Sequence, residues 1–274
     1  MLAAGAAALA TQPLSSLYAS PLGMPIGFQS WVVREMLAKD FQGTLRQMAA
    51  MGYQTVEMCS PPDYAGSGFG PLAKLKAPEM RRIIEDAALR CESSHYSFQG
   101  LKQNLDDRIA FAKELGLTQI VIASFGLPSD AKLADWRRAC DETNKLGERT
   151  QKAGLQLVFH NHHSEFKELE GVLIYDAMMA QLDPKLVKMQ FQVAVISAGY
   201  EAATYFNKYP GRFASMHLAD WSATQKQSVP LGQGIVDWKK LFAAAKTGGV
   251  KNYFVEMDFK TLKPSCAYLQ SLAA

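Results

Sequence analysis

Cysteine is scarce. Cys59, Cys91, Cys140 and Cys266 are the four in 274 residues, and none is spaced as a CxxC pair or a zinc ribbon. Three of them stand in apolar or helical runs and read as core thiols. They neither demand nor exclude an oxidising compartment. An excess of either charge is also missing: the formal net charge is +3, with the Lys and Arg residues scattered. That argues against nucleic acid and a membrane surface as partners. No glycine-rich phosphate loop follows the first apolar run, which disfavours a dinucleotide-binding Rossmann unit.

A bilayer-spanning segment is lacking at the N-terminus too. Residues 1–19, MLAAGAAALATQPLSSLYA, are Ala-rich and uncharged, but their apolar part is too short to span a bilayer as a helix. The segment has the hydrophobic and cleavage regions of a secretory signal without its basic start. An ordinary tail reads equally well. The first reading implies a periplasmic or exported protein, the second a cytoplasmic one. In both, residues 1–23 stand outside the fold argument and 24–274 form a single domain.

What is present is alternation. Apolar, β-rich runs at Ile26–Trp31, Thr55–Cys59, Ser93–Phe98, Gln119–Ser124, Leu155–Asn161, Val187–Val193, Phe213–Leu218 and Tyr253–Met257 are separated by amphipathic helical stretches. Pro78 suits a first helical turn, Asn104 and Asp106 precede a helix that stops at Gly116, and Asp237 is placed to cap Trp238–Lys246. Strict alternation of strand and helix implies a parallel sheet with right-handed crossovers. Eight strands at about thirty-residue spacing predict an α/β fold, the closed (β/α)8 TIM barrel.

In such a barrel the C-terminal strand ends converge on one pocket. The fifth run ends in Phe159-His160-Asn161-His162-His163-Ser164-Glu165-Phe166, which holds three of the five histidines. His160 and His162 share a face of an extended strand. Other strands end in Glu57, His95, Gln192, His217 and Glu256, with Asp258 just beyond. Imidazole and carboxylate at buried strand ends are costly without a partner, and a divalent metal or a polar substrate supplies one. Isolated buried His or Glu residues are often structural; repetition at equivalent ends of several strands carries the argument.

From about Gly154 to Asp258 the chain resembles the sugar phosphate isomerase/epimerase group of the xylose isomerase-like barrel superfamily. The pieces are Phe-His-Asn-His-x-x-Glu-Phe at 159–166, Tyr-Pro-Gly-Arg-Phe at 209–213, Met-His-Leu-Ala-Asp at 216–220, Leu-Gly-Gln-Gly-Ile-Val-Asp-Trp at 231–238 and Phe-Val-Glu-Met-Asp at 254–258. The resemblance implies a divalent ion (manganese, magnesium, cobalt or zinc) with His217 and Glu256 among its ligands. On the fifth strand the acidic ligand corresponds to His160 or Glu165. Glu165 is favoured, leaving His160 and His162 for substrate or catalysis.

Two departures stand out. Where many relatives carry aspartate on the sixth strand, this chain has Gln192, whose amide oxygen remains a candidate ligand at the loss of one negative charge. Where many carry lysine on the seventh, it has Ala219, which disfavours a phosphorylated substrate. Arg212 is the nearest replacement cation, or else it contacts backbone carbonyls after a turn. Trp31 and Trp221 are candidates to stack on a sugar ring, and Glu57 and Asp258 to bind its hydroxyls.

The resemblance implies a metal-dependent isomerase or epimerase of a sugar or keto-sugar, moving a proton next to a carbonyl through an enediolate. His95, His160, His162 and Glu165 are the expected catalytic groups. A lyase or hydratase acting on keto-sugars or 3-keto-glycosides uses the same opening step. A non-catalytic carbohydrate-binding barrel with a degraded metal site is the reading of another class. The partner in each case is a small carbohydrate, and a homo-oligomer is compatible with the sequence.

Overall fold

The computed structural model describes residues 20–272. Eight parallel strands close into a ring: β1 (Gly27–Gln29), β2 (Thr55–Cys59), β3 (Arg90–Tyr96), β4 (Gln119–Ile122), β5 (Gln156–His160), β6 (Val187–Gln192), β7 (Phe213–Leu218) and β8 (Asn252–Val255). Each pairs with its sequence neighbours, and β8 pairs back onto β1, so the expected (β/α)8 barrel is the observed fold. The strand expectations hold to within a few residues. Two small hairpins, Glu168–Leu169 with Val172–Leu173 and Asp220–Ser222 with Gln227–Val229, decorate the loops after β5 and β7.

Nine helices are described: α1 (Arg34–Lys39), α2 (Phe41–Ala50), α3 (Ala77–Asp86), α4 (Phe98–Leu115), α5 (Leu133–Lys152), α6 (Ile174–Gln181), α7 (Ala202–Lys208), α8 (Trp238–Gly248) and α9 (Phe259–Ser271). The Asp237 cap is as read from the sequence, its carboxylate accepting the Lys240 N–H at 3.0 Å. The start of α4 differs. Its cap is Ser97, which accepts the Gly100 N–H at 2.9 Å, and Asn104 is a non-helical kink inside the helix rather than its beginning. Gly116 ends α4 in the left-handed region at φ 91°, where its N–H reaches the Ala112 carbonyl.

Ser20 and Pro21 are already buried, and the Tyr253 hydroxyl reaches the Pro21 and Met24 carbonyls at 3.3 Å each. The packed chain thus begins ahead of residue 24. The signal-like segment 1–19 lies outside the described residues. Among the described residues no helix is long and apolar enough to cross a membrane.

Alternation along the strands divides the barrel into two environments. Leu157, Phe159, Met189, Phe191, Met216, Leu218, Tyr253 and Val255 belong to the continuous apolar core shared with the helices. Phe166, Tyr175, Tyr205, Phe191 and Phe206 form a chain of aromatic contacts within it, with successive ring centroids 4.6 to 5.6 Å apart. Inside the ring, Val121, Val158 and Ala214 form a small separate apolar cluster. Phe254 is also turned inward, edge-on to His217 at 6.2 Å, and most of the remaining inward positions are polar.

Candidate functional site

Register brings the polar inward positions together. Gln29 pairs with Glu57, Cys59 with His95, His160 with Gln190 and Gln192 with His217. Glu57 is fully buried, and its carboxylate is the hub of the interior. One oxygen accepts from Ser93 Oγ at 2.6 Å and from Gln190 Nε2 at 2.8 Å. The other lies 2.5 Å from His217 Nε2 and 3.1 Å from His95 Nε2. Gln190 also donates to Ser215 Oγ at 2.8 Å, and its amide oxygen faces His95 Nε2 at 2.8 Å. A carboxylate sealed in a barrel is tolerable only with such partners.

His217 bridges two acids. Its Nδ1 lies 2.9 Å from Glu256 Oε2, on the side opposite Glu57. Burial pushes this imidazole down, but the carboxylates of Glu256 and Glu57 outweigh it and raise its pKa to about 9. Burial works to raise both acids. The imidazoles of His95 and His217 nevertheless hold Glu57 well below the usual carboxylate range, and chiefly His217 lowers Glu256. The His160 ring lies 4.4 Å from that of His217 and 5.1 Å from that of His95, centroid to centroid. Burial, then its histidine neighbours, hold His160 well below the ordinary imidazole range.

Above this floor opens a cavity of about 280 Å³, lined by Trp31 and Tyr64 on one side and His95, His160, His162 and Glu256 on the other. The expected sugar-facing Trp31 therefore belongs to the wall, its indole edge-on to Tyr64 at 6.0 Å. His162 faces the cavity, and the loss of hydration there lowers its pKa to about 4. His163 turns outward to Ser197 Oγ at 2.8 Å.

Several expected site residues are placed otherwise. Glu165 is not beside the imidazole cluster: its carboxylate accepts the His162 backbone N–H at 2.6 Å and the Ser164 hydroxyl at 3.0 Å, capping the short turn His163–Phe166. Its position three residues after the cap residue His162 suits that use. Gln192 presents its amide nitrogen, not its oxygen, to the site. The nitrogen lies 2.5 Å from Glu256 Oε2, while the oxygen accepts the Ala194 N–H at 3.2 Å. Glu57 is beneath the histidines and outside the cavity lining, where its carboxylate holds the His95 and His217 rings.

Arg212 immediately precedes β7, at the far end of the strand from His217. Its guanidinium donates to the Met179 and Leu182 carbonyls at 3.1 Å each, closing the end of α6. Of the two readings the sequence left, the carbonyl contact is the observed one. Trp221 sits in the hairpin beyond β7 and Asp258 is exposed before α9; neither lines the cavity.

Two contributors escaped sequence reasoning: Ser93 and Ser215 look like ordinary strand residues, and only their inward register marks them. Gln190 and Asp220 are polar residues at strand ends in the sequence, but their roles come from the structure. Asp220 accepts the backbone N–H groups of Trp221, Gly232, Gly234 and Val236 and the Trp238 indole N–H, at 2.9 to 3.2 Å. The signal was in the sequence, an Asp after the seventh strand followed by Gly-x-Gly and Trp.

The arrangement offers metal-binding chemistry and proton transfer. One nitrogen from each of His95, His160 and His217 lies within 4.8 Å of the others, all three residues are buried, and Nδ1 of His160 has no partner among the described residues. This donor set fits a divalent ion.

Comparison with known proteins adds the following. The xylose isomerase-like TIM barrel family matches residues 45–272. A sugar phosphate isomerase/epimerase from Parabacteroides distasonis superposes with a TM-score of 0.74 at 24% identity, covering 90% of this chain and 96% of that one. A xylose isomerase-like TIM barrel protein from Mycobacterium smegmatis in complex with magnesium gives 0.67 at 14% identity, covering 93% and 98%. These likenesses show the fold. Inosose dehydratase from Lacticaseibacillus casei is 24% identical over 140 residues, 44% of this chain and 46% of that protein. The chain thus spans about half the length of the curated relatives it matches.

Proposed function

This chain belongs to the xylose isomerase-like TIM barrel family, and we propose that it is a sugar isomerase or epimerase that moves a proton next to a carbonyl. The observation carrying this reading is that two proton acceptors from different strands face one cavity. Glu256 follows β8 and His162 follows β5. Glu256 is held ionised by His217, and His162, with a pKa of about 4, is uncharged at neutral pH. Either can therefore accept a carbon-bound proton.

His95, His160 and His217 would hold a divalent ion. When bound, the ion supplies Lewis-acid polarisation of adjacent carbonyl and hydroxyl oxygens. The protein's own part is orientation and proton handling. Trp31 and Tyr64 offer flat faces to the sugar ring. Glu57 fixes the ring planes of His95 and His217 from below, and Gln192 and His217 aim the Glu256 carboxylate. Return of the proton to the neighbouring carbon gives isomerisation, and return to the opposite face of the same carbon gives epimerisation.

The inosose dehydratase relatives favour a second reading within the same chemistry. There the proton abstracted next to the carbonyl is followed by loss of hydroxide from the next carbon. Proton NMR in D2O separates the readings. Neutral keto-sugars and inososes are incubated with the metal-loaded protein. Deuterium incorporation beside the carbonyl with a new sugar supports isomerisation or epimerisation, and an unsaturated or deoxygenated product supports the lyase. Absence of any exchange across the panel would sink both and leave a binding barrel.

A further inference from the structure

The opposite ends of the strands enclose a second basin. It has a volume of about 440 Å³ and is lined by Glu92, Gln119, Gln156, Lys188, Lys251 and Asn252, all within two residues of a strand start. Register turns four of them into the barrel. Ser93, which meets Glu57 inside, pairs with Gln119, and Gln119 pairs with Gln156. Inward Val158 pairs with Lys188, and inward Ser215 with Asn252. Two residues farther along β4 and β5, Val121 and Val158 join Ala214 in the small apolar cluster. The basin shares no lining residue with the cavity at the other end.

The N-terminal mouth of such a barrel ordinarily serves stability, and an apolar layer would suffice for that. Here the layer is polar and incompletely paired. Gln119 and Asn252 are only 6% and 8% exposed, yet Gln119 Oε1 and Asn252 Oδ1 have no hydrogen-bond partner among the described residues. Each carries the cost of lost hydration until a donor meets it. The lysines make the complementary demand. Lys188 Nζ gives one N–H to the Gly211 carbonyl at 2.8 Å and keeps two others. Burial, then Arg212, holds its pKa below the ordinary lysine value. Lys251 stands exposed at the rim. Among the described residues neither lysine is in an ion pair, and together they outnumber Glu92, the one acid of the described lining.

We propose that this basin is a second ligand site, for a small polyhydroxylated carboxylate whose acid group meets Lys188 and Lys251 and whose hydroxyls donate to Gln119 and Asn252. A simple anion would satisfy the lysines and leave the amide oxygens unmet. A neutral polyol would do the reverse. Only a ligand carrying both groups answers both demands, and the charge-assisted bonds to the lysines are the stronger part. The site binds its ligand without converting it, because the histidines stand at the opposite end of the barrel.

The test titrates the full chain with D-gluconate, sorbitol and hexanoate, probes of equal carbon number that separate the two demands. The side-chain amide NMR signals of Gln119 and Asn252 are followed together with the ring signals of His162. Gluconate is expected to shift both amides and to bind about tenfold or more tightly than either sorbitol or hexanoate. Lys188→Met and Lys251→Gln should each weaken it by about tenfold or more. Circular dichroism identifies a variant that fails to fold, and exposed Lys251 supplies one outside the packing. Hexanoate binding as tightly as gluconate would leave a general anion site, and sorbitol doing so a neutral polyol site; each overturns the proposal. Gluconate that shifts His162 and not the two amides, or that binds both folded lysine variants undiminished, overturns the basin as its site. So does the absence of any amide shift, which would leave the mouth merely hydrated.

Discussion

The amide nitrogen of Gln192 lies 2.5 Å from the carboxylate of Glu256, tying the end of β6 to the end of β8 across the strand between them. A neutral donor at this position lets Glu256 stay ionised. Gln192→Glu would set two carboxylates in contact, and like charges at that distance cannot both ionise. The acid limb of the pH–rate profile should then move upward by about one unit or more. An unchanged limb would show that Glu256 takes no part in proton transfer.

Removing His217 strands two acids. Glu57 and Glu256 both face its ring nitrogens, at 2.5 and 2.9 Å. In metal-free protein, His217→Ala should cost about 3–5 kcal/mol, the usual penalty for breaking a buried ion pair from one side. Urea denaturation in the presence of chelator measures it. A midpoint equal to that of the parent would mean the two carboxylates do not depend on the imidazole.

The same pairing makes metal-free stability depend on pH. With its pKa raised from 6.5 to about 9, folded His217 holds its proton after the unfolded chain has lost it. Its contribution is complete below about pH 6.5 and declines as pH rises through 9. Thermal denaturation in chelator should therefore show a melting temperature that falls between those values. Glu57→Gln removes one of the two acids and should flatten that fall. A slope unaltered by this substitution would assign the effect elsewhere.

Asp220 collects four backbone N–H groups and one indole N–H. Asp220→Ala should destabilise by roughly 2–4 kcal/mol, since several donors lose a charged acceptor together. Hydrogen exchange should accelerate at the amides of Gly232, Gly234 and Val236 while β7 stays protected. Uniform acceleration over the barrel would indicate global unfolding instead.

The fold was legible because its signals are local and repeated. Apolar runs such as Thr55–Cys59 and Phe213–Leu218 coincide with strands β2 and β7, and glycines such as Gly116 mark where helices must reverse. The start of α4 was misread because Ser97 and Asn104 both suit a cap, and only tertiary packing distinguishes them. At the site, strand-end position identified His95, His160, His162, His217 and Glu256 as neighbours. It did not give side-chain direction. Gln192 and Glu165 have suitable donor atoms, but backbone N–H groups within three residues claim their oxygens first. Arg212 fell at the wrong end of its strand, a distinction that chain direction alone supplies.

The lattice of Ser93, Glu57, Gln190 and Ser215 spans four strands through single hydrogen bonds, so its members are not free to vary one at a time. Replacing Gln190 alone leaves Glu57 and Ser215 each short of a donor. Exchanging several members together for apolar side chains would instead abolish the demand for partners. Mutational effects here should be strongly epistatic. Substitutions within this interior should therefore be tolerated together or not at all.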